Sequence, residues 1–330
     1  MANTTRWEIN KEKTGFTFES VAQKITGLSS KTLRSSTATY KDFYIEKNNG
    51  EDLKDKNLEE EFNGKKIIYN FFSIKFNRYL LGEVEATETK QLIILYEDNN
   101  KIYIIIDKNT GSKAFIRLIL GFNEGKQVLQ VSQVSNGVSS NLIIWLLYKV
   151  YSKEITFDLN TKNLNLDTII GFKGKTDDKL NTITAIGDSL MNILSTLSFL
   201  LESNSLNQIS LRLEYTNHRN IEIKLDTNDT LGVSLESYKG AFKKDSYKDL
   251  SLLHKEALVF LLVYIEVFPI IKQWYSESIE DNEEIDSEQV QSKAKWGKIE
   301  HRNFLEQVAK DLTDKVDDKV AGLDKKISKL

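Results

Sequence analysis

The sequence predicts an α+β fold: antiparallel sheets with packed helices, and a helical C-terminal part ending in an amphipathic helix. Three patterns carry this reading. β-branched and aromatic runs of strand length, punctuated by turn residues, fill the stretch from Lys66 to Val134. Between Leu166 and Leu235, strand-length runs flank one leucine-rich segment with helical spacing. From Leu250 onward the apolar spacing is helical throughout. These patterns divide the 330 residues into an N-terminal antiparallel β-rich region (1–138), a central helix-then-ββαβββ domain (139–249) and a helical C-terminal region (250–330).

The first sixty residues are polar, with turn chemistry at Asn48-Asn49-Gly50. Phe16, Phe18, Val21 and Ile25 suit a short strand or helix. Ile67, Ile68, Tyr69, Phe71, Phe72, Ile74 and Phe76 then form a strand. Gln91–Tyr96 and Lys101–Asp107, joined by Glu97-Asp98-Asn99-Asn100, read as a hairpin. Lys113–Leu120 fits either a helix or a strand, and Gln127–Val134 fits a strand. Ser139-Ser140 caps a buried helix that begins Asn141-Leu142-Ile143.

In the central domain, Leu166–Lys175 and Leu180–Ile186 are strands around a turn at Asp177-Asp178. Asp188 and Ser189 offer N-caps to a helix whose Leu190, Ile193, Leu194, Leu197, Leu200 and Leu201 share one face. Gln208–Tyr215, Asn220–Leu225 and Leu231–Leu235 follow as strands. Leu250–Tyr275 is a buried helix that Pro269 kinks or breaks, because proline lacks the backbone donor and clashes with the preceding turn. Ser276–Glu288 is an acidic linker.

Composition excludes several chemistries. There is no cysteine, a single proline and only His218, His254 and His301 as histidines. Disulfides, thiolate metal cages and cysteine nucleophiles are therefore absent, and isolated histidines do not build triads or clustered metal sites. A cysteine-free chain suits a reducing compartment, and the polar start Met1-Ala2-Asn3-Thr4-Thr5-Arg6 has no apolar secretory core, so the expected location is cytoplasmic. Asn141–Val150, Leu190–Leu201 and Ala257–Ile271 are each shorter than the ~20 apolar residues of a membrane span, and no membrane partner is expected. The Lys-, Asn- and Ile-rich usage resembles that of an AT-rich bacterial genome.

Two short motifs reduce to structure. Gly174-Lys175-Thr176 has Ile169 where a phosphate loop needs glycine, so it reads as a hairpin turn. Arg212 and His218 match the Arg-His spacing of HEPN ribonucleases by count, but on a predicted strand rather than at a helix end.

Three surfaces remain. Glu222-Ile223-Lys224 places a carboxylate and an ammonium on one strand face, and Glu214 on the preceding strand is able to face them, with Glu202 a further oxygen. Carboxylates around Mg2+ with an adjacent lysine are the machinery of metal-dependent nucleases, and the arrangement loosely resembles the α-β-β-β core of restriction-type enzymes. A further strand, not a helix, follows Lys224, and the same triplet recurs at Glu88–Lys90 and Glu124–Lys126. Second, Lys173, Lys175, Lys179, Arg212, Arg219 and Lys224, with Phe172 and Tyr215, suggest a basic platform for nucleic acid, diluted by Asp177, Asp178, Asp226 and Asp229. Third, Leu305, Val308, Leu312, Val316, Val320, Leu323, Ile327 and Leu330 form a narrow apolar stripe of the coiled-coil kind. That seam needs a partner: another copy, another protein or the body of the chain. Equal Asp and Lys on its polar face do not favour anionic lipid.

The expectation is a non-catalytic cytoplasmic binding or assembly protein without a cofactor. It would be a subunit of a bacterial complex of the host-defence kind, with a protein partner or itself bound through the C-terminal helix and with nucleic-acid contact. The alternative is a nuclease using Mg2+ with Glu214, Glu222 and Lys224.

Overall fold

The β-branched and aromatic runs between Ile67 and Ile106 fold as strands whose two faces are both covered. The structure, a computed structural model, describes all residues except 1, 50, 63, 109–110, 123–129, 160–161, 176–181, 188–197, 199, 202–204, 280–296 and 328–330. It is α+β, with antiparallel strands, packed helices and a long C-terminal helix. The chain forms two compact units. The first comprises Met1–Asn136, Asp229–Leu235 and Ala241–Glu266; the second comprises Gly137–Asn228, Glu236–Gly240 and Val267–Leu330.

In chain order the strands are β1 (Ala2–Ile9), β2 (Leu33–Arg34), β3 (Ala38–Lys47), β4 (Leu58–Phe62), β5 (Lys65–Leu80), β6 (Thr87–Asp98), β7 (Lys101–Asp107), β8 (Val131–Gln133), β9 (Thr156–Leu159), β10 (Lys162–Lys175), β11 (Thr182–Ile186), β12 (Ser205–Tyr215), β13 (His218–Asp226) and β14 (Thr230–Ser234).

In the first unit the strand order is β14-β1-β7-β6-β5-β3-β2, every pair antiparallel, with β4 on β5 and β8 on β1. The β6–β7 hairpin closes through Asn99 and Asn100, both at positive φ (49° and 60°), the geometry of a two-residue turn that matches strand twist. Helices α1 (Lys11–Thr14) and α2 (Phe18–Thr26) follow β1, and Thr17 with Ser20 makes a reciprocal capping box at the start of α2. Lys113–Leu120 falls in helix α3 (Ser112–Leu120), ended by Gly121 at φ 83°. Phe18, Val21 and Ile25 of α2, with Phe115, Ile116 and Ile119 of α3, share a core with Trp7, Phe72, Ile74, Ile93, Leu95 and Ile104 of the sheet. Their sheet neighbours Phe71, Ile94, Tyr96 and Ile105 are buried on the opposite face. That is why Gln91–Tyr96 reads as an unbroken buried run rather than an alternating one.

The opposite face receives helix α5, after α4 (Ser140–Tyr151) of the second unit in chain order. Helix α5 spans Leu252–Leu262 and is capped by Ser251, whose side chain accepts from the His254 amide. The Tyr264 hydroxyl lies 3.0 Å from the Thr4 hydroxyl, and the Arg6 guanidinium stacks 5.3 Å from the Tyr264 ring and 5.6 Å from the Tyr103 ring. After α5 comes a π-helical turn, Val263–Val267, and then helix α6 (Phe268–Ile279). Helical backbone runs without interruption from Leu252 to Ile279, so Pro269 does not break the helix; the wider π-helical turn immediately before it accommodates the missing N–H. The stretch Leu252–Ile279 is long and apolar enough to cross a membrane by length and composition, and it is mostly buried within the fold.

The second unit carries the order β11-β10-β12-β13, with β9 on β10, again antiparallel. Ile209, Leu211 and Leu213 of β12 and Ile221, Ile223 and Leu225 of β13 are buried, alternating with partly exposed polar residues. Helix α4 begins as expected: Ser139 accepts from the Leu142 amide at 3.1 Å, and Ser140 accepts from the Leu206 amide of β12 at 2.9 Å. Trp145 of α4 meets Trp274 and Tyr275 of α6 edge to face. Most of the leucine-rich segment expected as a helix, including Ile193 and Leu197, and the Asp177-Asp178 turn lie outside the described residues; Leu200 is buried, whereas Leu201, expected on the same buried face, is 37% exposed. The run Leu231–Leu235 supplies β14, which pairs with β1 of the first unit.

Candidate partner-binding helix and charged sheet face

One face of the second unit's sheet carries most of the charged residues singled out in the sequence. Cross-strand register sets Arg212 opposite Glu222, Ser210 opposite Lys224, Glu214 opposite Asn165 and Lys173 opposite Gln208. Directly opposed residues share a face, so Lys173, Arg212, Glu214, Glu222 and Lys224 all lie on the side away from the Ile209–Leu213 row. Lys175 is exposed beyond Lys173, after a register irregularity. Arg219 is exposed at the far end of β13, where Asn220 takes φ 51° and the Arg219 backbone pairs with Lys239. The structure therefore gathers Lys173, Lys175 and Arg212 along one surface and leaves Arg219 apart from them. Lys179 is outside the described residues.

The chemistry of this face is set by one ion pair. Arg212 donates through Nε (3.2 Å) and Nη2 (2.9 Å) to Oε1 of Glu222, and the two side chains are only 24% and 15% exposed. A guanidinium fork on a shielded carboxylate is a stable neutral unit. It removes one cation from a basic platform and engages Oε1 of Glu222, so a metal would have to compete with the guanidinium for that carboxylate. Among the described residues no group of three or more His, Asp or Glu side chains is arranged to hold a metal ion. With Glu214 and Asp226 interleaved among Lys173, Arg212 and Lys224, the face is of mixed sign.

The C-terminal helix behaves differently along its length. Helix α7 spans Lys298–Ile327. Its first part packs on α4. Phe304 and Val308 are buried, and the Phe304 ring meets those of Tyr148 and Tyr151 edge to face at 5.8 and 5.4 Å. The Tyr151 hydroxyl donates to the Asp311 carboxylate, and burial together with that bond pushes the phenol pKa up. Leu305 and Leu312 are half-buried at the margins of this contact. From Val316 to Asp324 the helix is exposed. Val316, Val320 and Leu323 are 44%, 51% and 54% exposed, while Ile327 continues the helical backbone.

Helical geometry accounts for part of the change. Residues advance about 100° each, so every four-residue step turns an apolar stripe by about 40°. The steps Val308→Leu312→Val316→Val320 are all of four, and together they rotate the stripe by about 120°. Val308 faces α4 and Val320 lies about 120° round from it, whereas Leu323 lies only about 60° round and is exposed beyond the α4 contact at Asp311. Sequence spacing identified the stripe but not its division into a packed and a free segment, because the anchor, Phe304, sits one residue before the first stripe position. Its four-residue step to Val308 was the available signal.

No protein-family model matches this chain, and no curated protein matches its sequence.

Proposed function

We propose that this is a non-catalytic assembly protein that engages a protein partner through the exposed apolar stripe of α7. The observation that carries the reading is the triad Val316, Val320 and Leu323, three large aliphatic side chains at helical spacing and all exposed. Single exposed aliphatics are ordinary; a row of them on one face of a helix standing clear of its own unit is a surface built for contact. The helix has little reason to persist otherwise. Residues 313–327 include Gly322, Thr313 and β-branched Val316 and Val320, so isolated helical propensity is low and a packed partner stabilises it.

The cytoplasmic setting expected from the cysteine-free sequence belongs to this reading, as does an accessory contact of Lys173 and Lys175 with nucleic acid. Mixed charge on that sheet face supports electrostatic steering more than tight binding.

Light scattering of the full chain beside a version ending at Leu312 tests the proposal. The shorter chain keeps Phe304 and Val308 and hence the packed part of α7. The expected result is a multiple-chain mass for the full chain that falls on truncation. Equal masses for both would contradict assembly through this segment.

A further inference from the structure

We infer that the partner of the 313–327 segment is a second copy of the same segment, docked parallel and in register as a two-stranded coiled coil. This rests on the assembly reading above and adds to it the identity, stoichiometry and direction of the partner. The argument is one of register. Taking the exposed Val316, Val320 and Leu323 as the seam puts Val320 at an a position and Val316 and Leu323 at d positions; by sequence spacing Thr313 and Ile327 then also fall at a. The flanking positions are then fixed. Asp317 and Asp324 fall at e, and Lys319 and Lys326 at g.

Those flanking residues discriminate between orientations. In a parallel pair, each g residue faces the e residue of the next heptad on the other helix, so Lys319 meets Asp324 of the second copy, twice by symmetry. In an antiparallel pair e faces e and g faces g, which sets Asp against Asp and Lys against Lys. One orientation is complementary and the other repulsive. The Val320–Leu323 heptad agrees, with a β-branched residue at a and leucine at d, the pairing that favours two parallel strands. Gly322 at c and Asp318 at f lie off the seam and do not obstruct it. Val316, Val320 and Leu323 are exposed, as a symmetric partner requires.

The chain's lack of cysteine makes the test direct. Val320→Cys in the full chain introduces a single thiol at a seam position, and only parallel, in-register pairing brings that thiol against its own counterpart. Mild oxidation is expected to give a reducible covalent dimer in high yield, whereas Asp318→Cys, on the outer face, gives little. Lys319→Glu is expected to weaken self-association about tenfold, and the double variant Lys319→Glu/Asp324→Lys to restore it. If light scattering shows assembly that depends on 313–327 but Val320→Cys does not cross-link, or the mass is not that of two chains, the parallel-pair inference is overturned while the assembly reading stands. If the full chain and the truncated chain both have the mass of one chain, the segment does not self-associate and the inference is overturned.

Discussion

The Tyr69 hydroxyl and Nε2 of His254 lie 2.7 Å apart, joining strand β5 to helix α5 where both side chains are buried. The Phe71 ring sits 4.9 Å from the same imidazole. Burial lowers the His254 pKa from 6.5 to about 4, so the ring is neutral in the fold. In the unfolded chain it gains a proton at a higher pH. The unfolded state therefore binds more protons between about pH 6.5 and 4, and stability falls as pH falls through that window. The full effect is up to about 3 kcal/mol. Glu60, Asp107 and Glu256 are raised by burial and act oppositely, losing stability as pH rises through their folded values. Comparing urea unfolding of the wild type and His254→Gln across pH 7 to 4 isolates the histidine. The variant is expected to have the flatter acid limb; parallel curves would contradict the assignment.

Asn48 is fully engaged at a turn. Its Nδ2 reaches the Leu53 and Lys56 carbonyls and Oδ1 of Asn70 at 3.2, 2.9 and 2.9 Å, and its Oδ1 accepts from the Phe71 amide at 3.1 Å. It also holds φ 55°, a conformation asparagine tolerates better than most residues. Asn48→Ala is expected to cost about 3 kcal/mol in chemical denaturation, from buried groups left unpaired and from backbone strain. Asn48→Gly loses the bonds without the strain and is expected to cost less. A loss below about 0.5 kcal/mol for the alanine variant would show the network to be dispensable.

Gly240 leaves no room for a side chain. A Cβ there would overlap the hydroxyl and ring of Tyr238, which is buried and lies 2.6 Å from Nδ1 of His218. Gly240→Ala is expected to destabilise the second unit by about 2 kcal/mol, read as a lower thermal midpoint. An unchanged midpoint would mean that Tyr238 has another accommodating position.

The Arg212–Glu222 pair bears on catalysis. A double-mutant cycle with Arg212→Met and Glu222→Gln is expected to give a coupling of about 1 kcal/mol, as befits a partly shielded ion pair. With Glu222 held by the guanidinium, Mg2+ or Mn2+ is expected to leave the melting temperature unchanged and to support no cleavage of labelled DNA or RNA. Metal-dependent cleavage that vanishes in Glu222→Gln would instead establish the nuclease alternative.

The strands β5, β6, β7, β12 and β13 were legible because their composition or alternation is local. So was the Ser139 cap, whereas Pro269 leaves the helix unbroken behind a π-helical turn. Strand β1 was not legible. Its Thr4, Thr5 and Arg6 look like a polar tail, yet Thr4 and Thr5 are buried between β7 and β14. Those partners lie about a hundred and more than two hundred residues away, and nothing in eight polar-looking residues encodes pairing at that distance. The shared face of Glu222 and Lys224 followed from strand period alone. The capture of Glu222 by Arg212 did not, because it depends on the register between β12 and β13. In the C-terminal helix the apolar spacing was visible, whereas exposure depends on where α4 stops supporting it.

The most direct measurement of the central claim is the solution mass of the full chain carrying Val316→Ala, Val320→Ala and Leu323→Ala together. Alanine preserves helical propensity while stripping the exposed seam, so helix loss is not a confounding cause. The expected result is a two-chain mass for the wild type and a one-chain mass for the variant, with both unfolding at the same denaturant concentration when diluted to single chains. A variant that keeps the wild-type mass would contradict assembly through α7.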